Sequence, residues 1–269
     1  MKLFSNINFS KTTILEVFLY SLKKIKKNFS KDFLFIDLKK KINKAKKYTM
    51  FEKTSKGKLK KLLELFYLNW NFREITGRYN LSDVLWLDKV LKTRQGTALS
   101  LGIILLYFSN KLKIPLHPVI FPTQFLLRLK LPNKKLLFIN PFNGEFVKYN
   151  ILELWLKGNI SSTAIMYTQY LEISKSKIIL KKILNTLKSV LIDEKKIELA
   201  LNISNLLLKM YPKDPYEIRD RGLIYAQLEC FSVAKKDLLY FVNKCPDDPI
   251  SDIIKLKIES IKNKNFVLN

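Results

Sequence analysis

Few side chains in this 269-residue chain could carry covalent chemistry: one histidine, His117, and two cysteines, Cys230 and Cys245. Nucleophilic catalysis needs a thiol or hydroxyl beside a group that takes its proton. Cys230 falls in an expected turn between paired helices and Cys245 beside Pro246, and both read as structural. The hydroxyls at the start of the most apolar segment are Thr97 and Ser100. His117 stands between Pro115 and Pro118 at an expected strand start, a setting that suits a packed or surface residue better than a base. The sequence holds no Cys-x-x-Cys pair for zinc, no glycine-rich phosphate loop and no calcium loop. No cofactor and no metal ligand set are expected.

Periodicity indicates which elements must position these residues. Ser10 is the expected N-cap of a first helix with the stripe Ile14, Phe18, Leu22, Ile25 and Phe29. A second stripe is Phe35, Leu38, Ile42 and Ala45, with Lys39, Lys40, Lys44 and Lys47 mostly outward. A third is Leu59, Leu62, Leu63, Phe66 and Trp70. Ser82 is expected to cap a short helix carrying Val84, Leu85, Leu87 and Leu91. Then comes a segment apolar all round, from Gly96 to Phe108, which must lie at the centre of a domain.

After Pro115 the period changes to that of strands. Leu116 to Phe121 reads as one. Leu127, Leu129 and Leu131 alternate with Arg128 and Lys130 in a second, half-buried one. Pro132-Asn133-Lys134 turns the chain, and Lys135 to Ile139 returns antiparallel. With Leu131 facing Lys135, Leu126 faces Asn140, so Gln124 and Asn140 become diagonal neighbours on one face at the hairpin's open end. A shift of one residue in register would undo that placement. A short strand follows near Phe146.

From about Ile151 the chain reads as helical and contains a repeat. Tyr211-Pro212-Lys213-Asp214-Pro215 returns as Cys245-Pro246-Asp247-Asp248-Pro249, with 34 residues between the first prolines. That is the tetratricopeptide period. Gly222 would let one helix approach the next at Ala234 and Leu238, and Ile253 to Ile261 would close the array.

Composition bounds the rest. At 48% hydrophobic residues, the chain can bury a real core, and its longest apolar run falls short of the ~20 residues that span a bilayer. Glu16 interrupts the first apolar stretch, which argues against a secretory signal and for a cytoplasmic protein. The net charge is +26, and all but six of the 49 cations are lysine. Two readings stay open: lysine-rich drift in composition, or adhesion to an anionic partner.

The order of glycine at a helix start, apolar helix, strand, hairpin and Pro-Phe turn resembles the transglutaminase-like (papain-related) fold. The resemblance implies an α+β core with a small antiparallel sheet and a central helix over residues 1–172, followed by an all-α tetratricopeptide-like region over 173–269. Leu85-Trp86-Leu87-Asp88, Val119 to Gln124 and Arg219 to Gln227 extend it over the whole chain to the bacterial family of YchA-type proteins, which carries no assigned activity. The family pattern puts a cysteine, a histidine and an aspartate where this chain has Ala98, Gln124 and Asn140. Alanine cannot attack, glutamine cannot take a proton near neutrality and asparagine cannot stabilise an imidazolium.

The leading expectation is therefore a non-catalytic scaffold with a degenerate centre. Its repeats would bind an unidentified protein or peptide through Tyr216, Arg219, Leu223 and Gln227, the stripe that the resemblance turns toward a groove. Arg219 would meet a carboxylate of that partner. The vacant cleft either holds Gln124 and Asn140 bonded to each other and to backbone, or binds a peptide or amide without cleaving it. Other readings stand beside these: repeats that only pack and offer no groove, a hydrolase or acyl transferase with an unrecognised nucleophile, or a lysine-driven binder of nucleic acid or anionic membranes. No sequence-specific nucleic-acid contact and no membrane span are expected.

Overall fold

A computed structural model of the protein describes residues 12–26, 29 and 32–267. Ser10, the expected first cap, lies outside them. The described residues form two compact units: one comprises 12–23, 29 and 32–183, the other 24–26 and 184–267. Among them no helix is long and apolar enough to cross a membrane.

The first unit begins with α1 (Ile14–Ile25), whose last two residues are counted with the second unit, and continues with α2 (Asp32–Thr49) and α3 (Ser55–Glu64). Thr13 opens α1 through a reciprocal cap. Its N–H and hydroxyl both donate to Glu16 Oε2 at 2.8 Å, and the Glu16 N–H donates back to Thr13 Oγ1 at 3.3 Å. Lys39, Lys40, Lys44 and Lys47 are exposed on α2, while Leu34, Leu38, Ala45 and Thr49 are buried. The third stripe runs past α3 into a π-helical turn, Leu65–Asn69. That wide turn carries Phe66 inward to stack on Phe72 at 4.3 Å, and beyond it Trp70 meets Phe108 at 4.7 Å.

The helix expected to start at Ser82 is two pieces: a 3-10 turn, Leu81–Val84, and α4 (Leu87–Thr93). Trp86 is extended between them. Ser82 is not a cap; it is buried inside the turn, and its carbonyl accepts the N–H groups of Leu85 and Trp86. Arg94 then ends α4 in the left-handed region (φ 63°), which throws the chain into a two-residue parallel pairing of β1 (Arg73–Glu74) with β2 (Gln95–Gly96). Gly96 thus reaches the start of α5 (Ala98–Lys111) from a fixed direction. Apart from Leu106, Asn110 and Lys111, every residue of α5 is buried, as its all-round apolar pattern requires.

The sheet is antiparallel, in the order β3 (Leu116–Ile120), β4 (Phe125–Lys130), β5 (Leu136–Ile139) and β6 (Phe146–Val147). Leu127 faces Ile139, Lys130 faces Leu136, and Leu131 donates its N–H to Lys135 O at 2.9 Å. The expected hairpin register is therefore the one formed. The half-buried alternation read in the sequence holds, with Leu127 and Leu129 buried, Arg128 half-buried and Lys130 exposed, while at the start of β4 the outer face is covered at Leu126. A cluster of Val119, Phe121, Leu126, Phe138, Leu152, Leu156 and Leu171 unites the sheet with α6 (Tyr149–Asn159) and the 3-10 turn Thr168–Leu171. Arg128 belongs to that covered side because its guanidinium donates to Leu171 O at 2.5 Å. On the α5 side, a Cβ built on Gly102 would lie 2.5 Å from the Phe125 ring and 3.3 Å from the Pro141 ring, so the helix backbone lies directly against these side chains.

α7 (Ser176–Asp193) runs from the first unit into the second, which continues as α8 (Ile197–Met210), α9 (Pro215–Gln227), α10 (Phe231–Lys244) and α11 (Pro249–Val267). The repeated motif has a local cause. Tyr211 and Cys245, each before a proline, leave the helical region (φ −138°, ψ 72° and φ −132°, ψ 58°) and stop a helix. Asp214 then accepts the Tyr216 and Glu217 N–H groups, and Asp248 accepts that of Ile250, with Pro215 and Pro249 in first-turn positions. A Cβ on Gly222 would meet Leu238 at 2.9 Å, so this position brings α9 against α10 as expected. Ala234, Leu238, Phe241, Ile254, Ile258 and Ile261 form the apolar layer closed by α11.

Candidate functional site

The start of α5 is the place where a nucleophile would profit from helix-terminal amides. Ala98 occupies it, 6% exposed. Both hydroxyl oxygens beside it accept bonds that close the helix end. Thr97 Oγ1 accepts the Ser100 N–H at 3.2 Å, Ser100 Oγ accepts the Thr97 N–H at 2.9 Å, and the Ser100 hydroxyl donates to Val84 O at 2.7 Å. Ser100 is fully buried. A hydroxyl has one proton to donate, and this geometry gives that of Ser100 to a backbone carbonyl rather than to a base.

Gln124 sits in the bend before β4, where its carbonyl accepts the Phe121 N–H at 3.1 Å. Its Nε2 is buried and, among the described residues, has no hydrogen-bond partner. Asn140 follows β5 and organises a turn. Its Oδ1 accepts the Phe142 N–H at 3.1 Å, its carbonyl accepts from Gly144, and its N–H donates to Glu145 O. Phe125 and Pro141, the neighbours of Gln124 and Asn140, both reach α5 at Gly102, one turn beyond Ala98. Both flanks of the hairpin's open end thus meet the first half of the helix. Of the two readings of the cleft, the one that bonds Gln124 to Asn140 finds no such bond among the described residues. Asn140 is satisfied by backbone, and the Gln124 amide nitrogen is not satisfied at all.

Tyr67 carries a role that the sequence reading missed. Its hydroxyl donates to Pro141 O at 2.7 Å, and its ring lies where a Cβ on Gly144 (φ 76°) would come within 2.4 Å. Burial pushes its phenol well above the usual range. It acts as a neutral clasp on the turn that begins at Asn140, and its only trace in the sequence is the Asn-Gly dipeptide that makes room for it.

His117 is elsewhere. It pairs across the sheet with Arg128 and lines a recess of about 240 Å³ with Thr13, Tyr107, Asn110 and Ser176. From α5 that recess is lined by Ile103, Leu106, Tyr107 and Asn110, and Thr97, Ala98 and Ser100 are not among its lining residues. Burial, and then the Arg128 charge, hold its imidazole pKa below the ordinary value. Cys230 is exposed at the start of α10 and Cys245 ends that helix half-buried, the positions expected from the repeat.

The four residues expected to meet a partner have uneven exposure. Tyr216 is 47% exposed and donates its hydroxyl to Asp248 Oδ2 at 2.9 Å, while Gln227 is exposed. Arg219 lies over the rings of Tyr216 and Phe241 and donates to Asp220 Oδ1 at 2.6 Å, so the carboxylate it meets is its own neighbour. Leu223 packs on the apolar layer of α10 and α11. The adjoining charges are structural as well: Lys188 binds Glu217 and Asp220, and Arg221 grips Asp237 with two nitrogens.

Residues 34–185 match the family model of the transglutaminase-like superfamily and residues 187–259 that of the tetratricopeptide repeat. Among curated proteins, a UPF0162 protein of Buchnera aphidicola subsp. Schizaphis graminum is 54% identical over the whole of both chains. SirB1 of Salmonella typhimurium is 45% identical and UPF0162 protein YchA of Escherichia coli K12 is 44% identical, again over full length. No solved structure matches the chain.

Proposed function

We propose, from the premise that the chain belongs to the bacterial UPF0162 family of transglutaminase-like proteins with a tetratricopeptide-repeat region, that it is a non-catalytic scaffold which binds a polypeptide partner through its repeats. The observation that carries this reading is the reciprocal bonding of Thr97 and Ser100 around Ala98. In a nucleophile's place there is a methyl group, and the adjacent hydroxyls are spent on closing the helix. Gln124 supplies an amide where a base would be needed, and Asn140 spends its side chain on the Phe142 N–H. His117 lines a recess to which neither Thr97 nor Ser100 contributes. These points speak against the alternative of a hydrolase with an unrecognised nucleophile.

The partner-binding side of the reading rests on the repeats and on α9. Arg219 and Leu223 shape the surface from within, through stacking and packing, while Tyr216 and Gln227 present it. The test is affinity capture from a cell lysate with the full chain and with Tyr216→Ala and Gln227→Arg variants. Loss of the same polypeptide with both variants, at unchanged thermal unfolding, supports this surface; unchanged recovery rejects it.

A further inference from the structure

α2 carries two unlike faces. Leu34, Leu38, Ala45 and Thr49 face the core. At three- and four-residue spacing on the far side run Phe33, Ile36, Lys40, Lys44 and Lys47, all exposed. Phe33 is 73% exposed, and just past the helix end Phe51 is 85% exposed with Met50 beside it. From Phe33 to Lys47 the stripe runs about 21 Å at helical rise, apolar at its start and basic after it, and the exposed Met50 and Phe51 follow in the turn beyond the helix.

The charges of this stripe are free to act outward. Asp37 is engaged by Lys41 on the flank, and Glu64 by Lys61 and Tyr48. Among the described residues, no ion pair joins Lys40, Lys44 or Lys47 to a carboxylate. A polyphosphate partner would satisfy the lysines alone and leave Phe33, Ile36 and Phe51 in water. A bilayer surface bearing anionic headgroups satisfies both, since lysines meet the phosphates while the apolar ends enter the headgroup–acyl boundary.

We propose that the outer face of α2 and the turn after it form a peripheral docking surface for anionic lipid membranes. The test is co-sedimentation of the full chain with vesicles of phosphatidylcholine alone or mixed with phosphatidylglycerol, beside a duplex nucleic acid as competitor. Two variants separate the contributions: Lys40→Glu with Lys44→Glu and Lys47→Glu, and Phe33→Ser with Phe51→Ser, which leaves the charge unchanged. Unaltered thermal unfolding establishes that each remains folded. The proposal expects binding to mixed vesicles only, and each variant to weaken it by at least about tenfold. Binding by the serine variant equal to that of the parent chain overturns it, since adhesion would then be a matter of bulk charge. Displacement from the vesicles by the duplex at equal charge concentration overturns it too.

Discussion

Lys188 Nζ lies 2.7 Å from Glu217 Oε1, with 4% and 3% of the two side chains exposed. The pair joins α7 to α9, and two further groups complete it: the Ser204 hydroxyl on the same carboxylate oxygen at 2.8 Å, and Asp220 on the same ammonium at 2.8 Å. Burial pushes the Glu217 carboxyl above its ordinary value against the opposing pull of Lys188 and Ser204. An ion pair so placed adds little net stability over an apolar one but penalises the loss of either half. Lys188→Met is therefore expected to cost about 3–5 kcal/mol. The double variant Lys188→Met, Glu217→Leu recovers most of that loss. Urea unfolding of the single and double variants measures both.

The approach of α9 to α10 gives a second expectation. At Gly222 a new methyl would meet Leu238 at 2.9 Å and the Asp237 Cβ at 3.1 Å, and Asp237 is held from both oxygens by Arg221. With neither neighbour free to withdraw, Gly222→Ala should destabilise the chain by about 1–3 kcal/mol. Chemical denaturation reads the loss directly, and circular dichroism at low denaturant shows whether helix is retained.

Acid sensitivity is expected at the first helix. Burial opposes ionisation of Glu16, but bonds from Lys111 and from the Thr13 N–H and hydroxyl outweigh it and hold the carboxyl below its ordinary value. A carboxyl with a lowered folded pKa contributes stability that is present above the unfolded value of 4.5 and is lost as pH falls through the folded one. Glu16→Gln removes this contribution at neutrality, about 1 kcal/mol for a cap with one partly exposed ion pair. Unfolding followed from neutral pH down to about pH 3 should show the parent and variant converging at the acid end. A constant gap across that range contradicts the assignment.

Much of the fold was legible because its signals are local and periodic. The all-round apolar run defined α5, the turn chemistry fixed the hairpin register, and the Asp-Pro steps marked α9 and α11. What escaped depends on contacts distant in sequence. Tyr67 reaches Pro141 across 74 positions, and the β1–β2 pairing, only two residues long, has no pattern to find. The burial of Leu126 on the outer face of β4 was missed because α6 and the turn at Leu171 cover it from a distance in sequence. At the site, the identities of Ala98, Gln124 and Asn140 were plain, but the spending of the Thr97 and Ser100 hydroxyls on the helix end became clear only from their geometry. For Arg219, the resemblance gave the stripe but could not show that Asp220 and Phe241 already occupy the guanidinium.

The central claim is that the start of α5 performs no acyl chemistry. The most direct measurement incubates the purified full chain with acylating probes for serine and cysteine and with amide and ester substrates, beside Thr97→Ala, Ser100→Ala and His117→Ala variants. The account predicts no turnover above buffer and no labelling that any of these substitutions removes. Turnover or labelling of the parent chain abolished by one of them would contradict it.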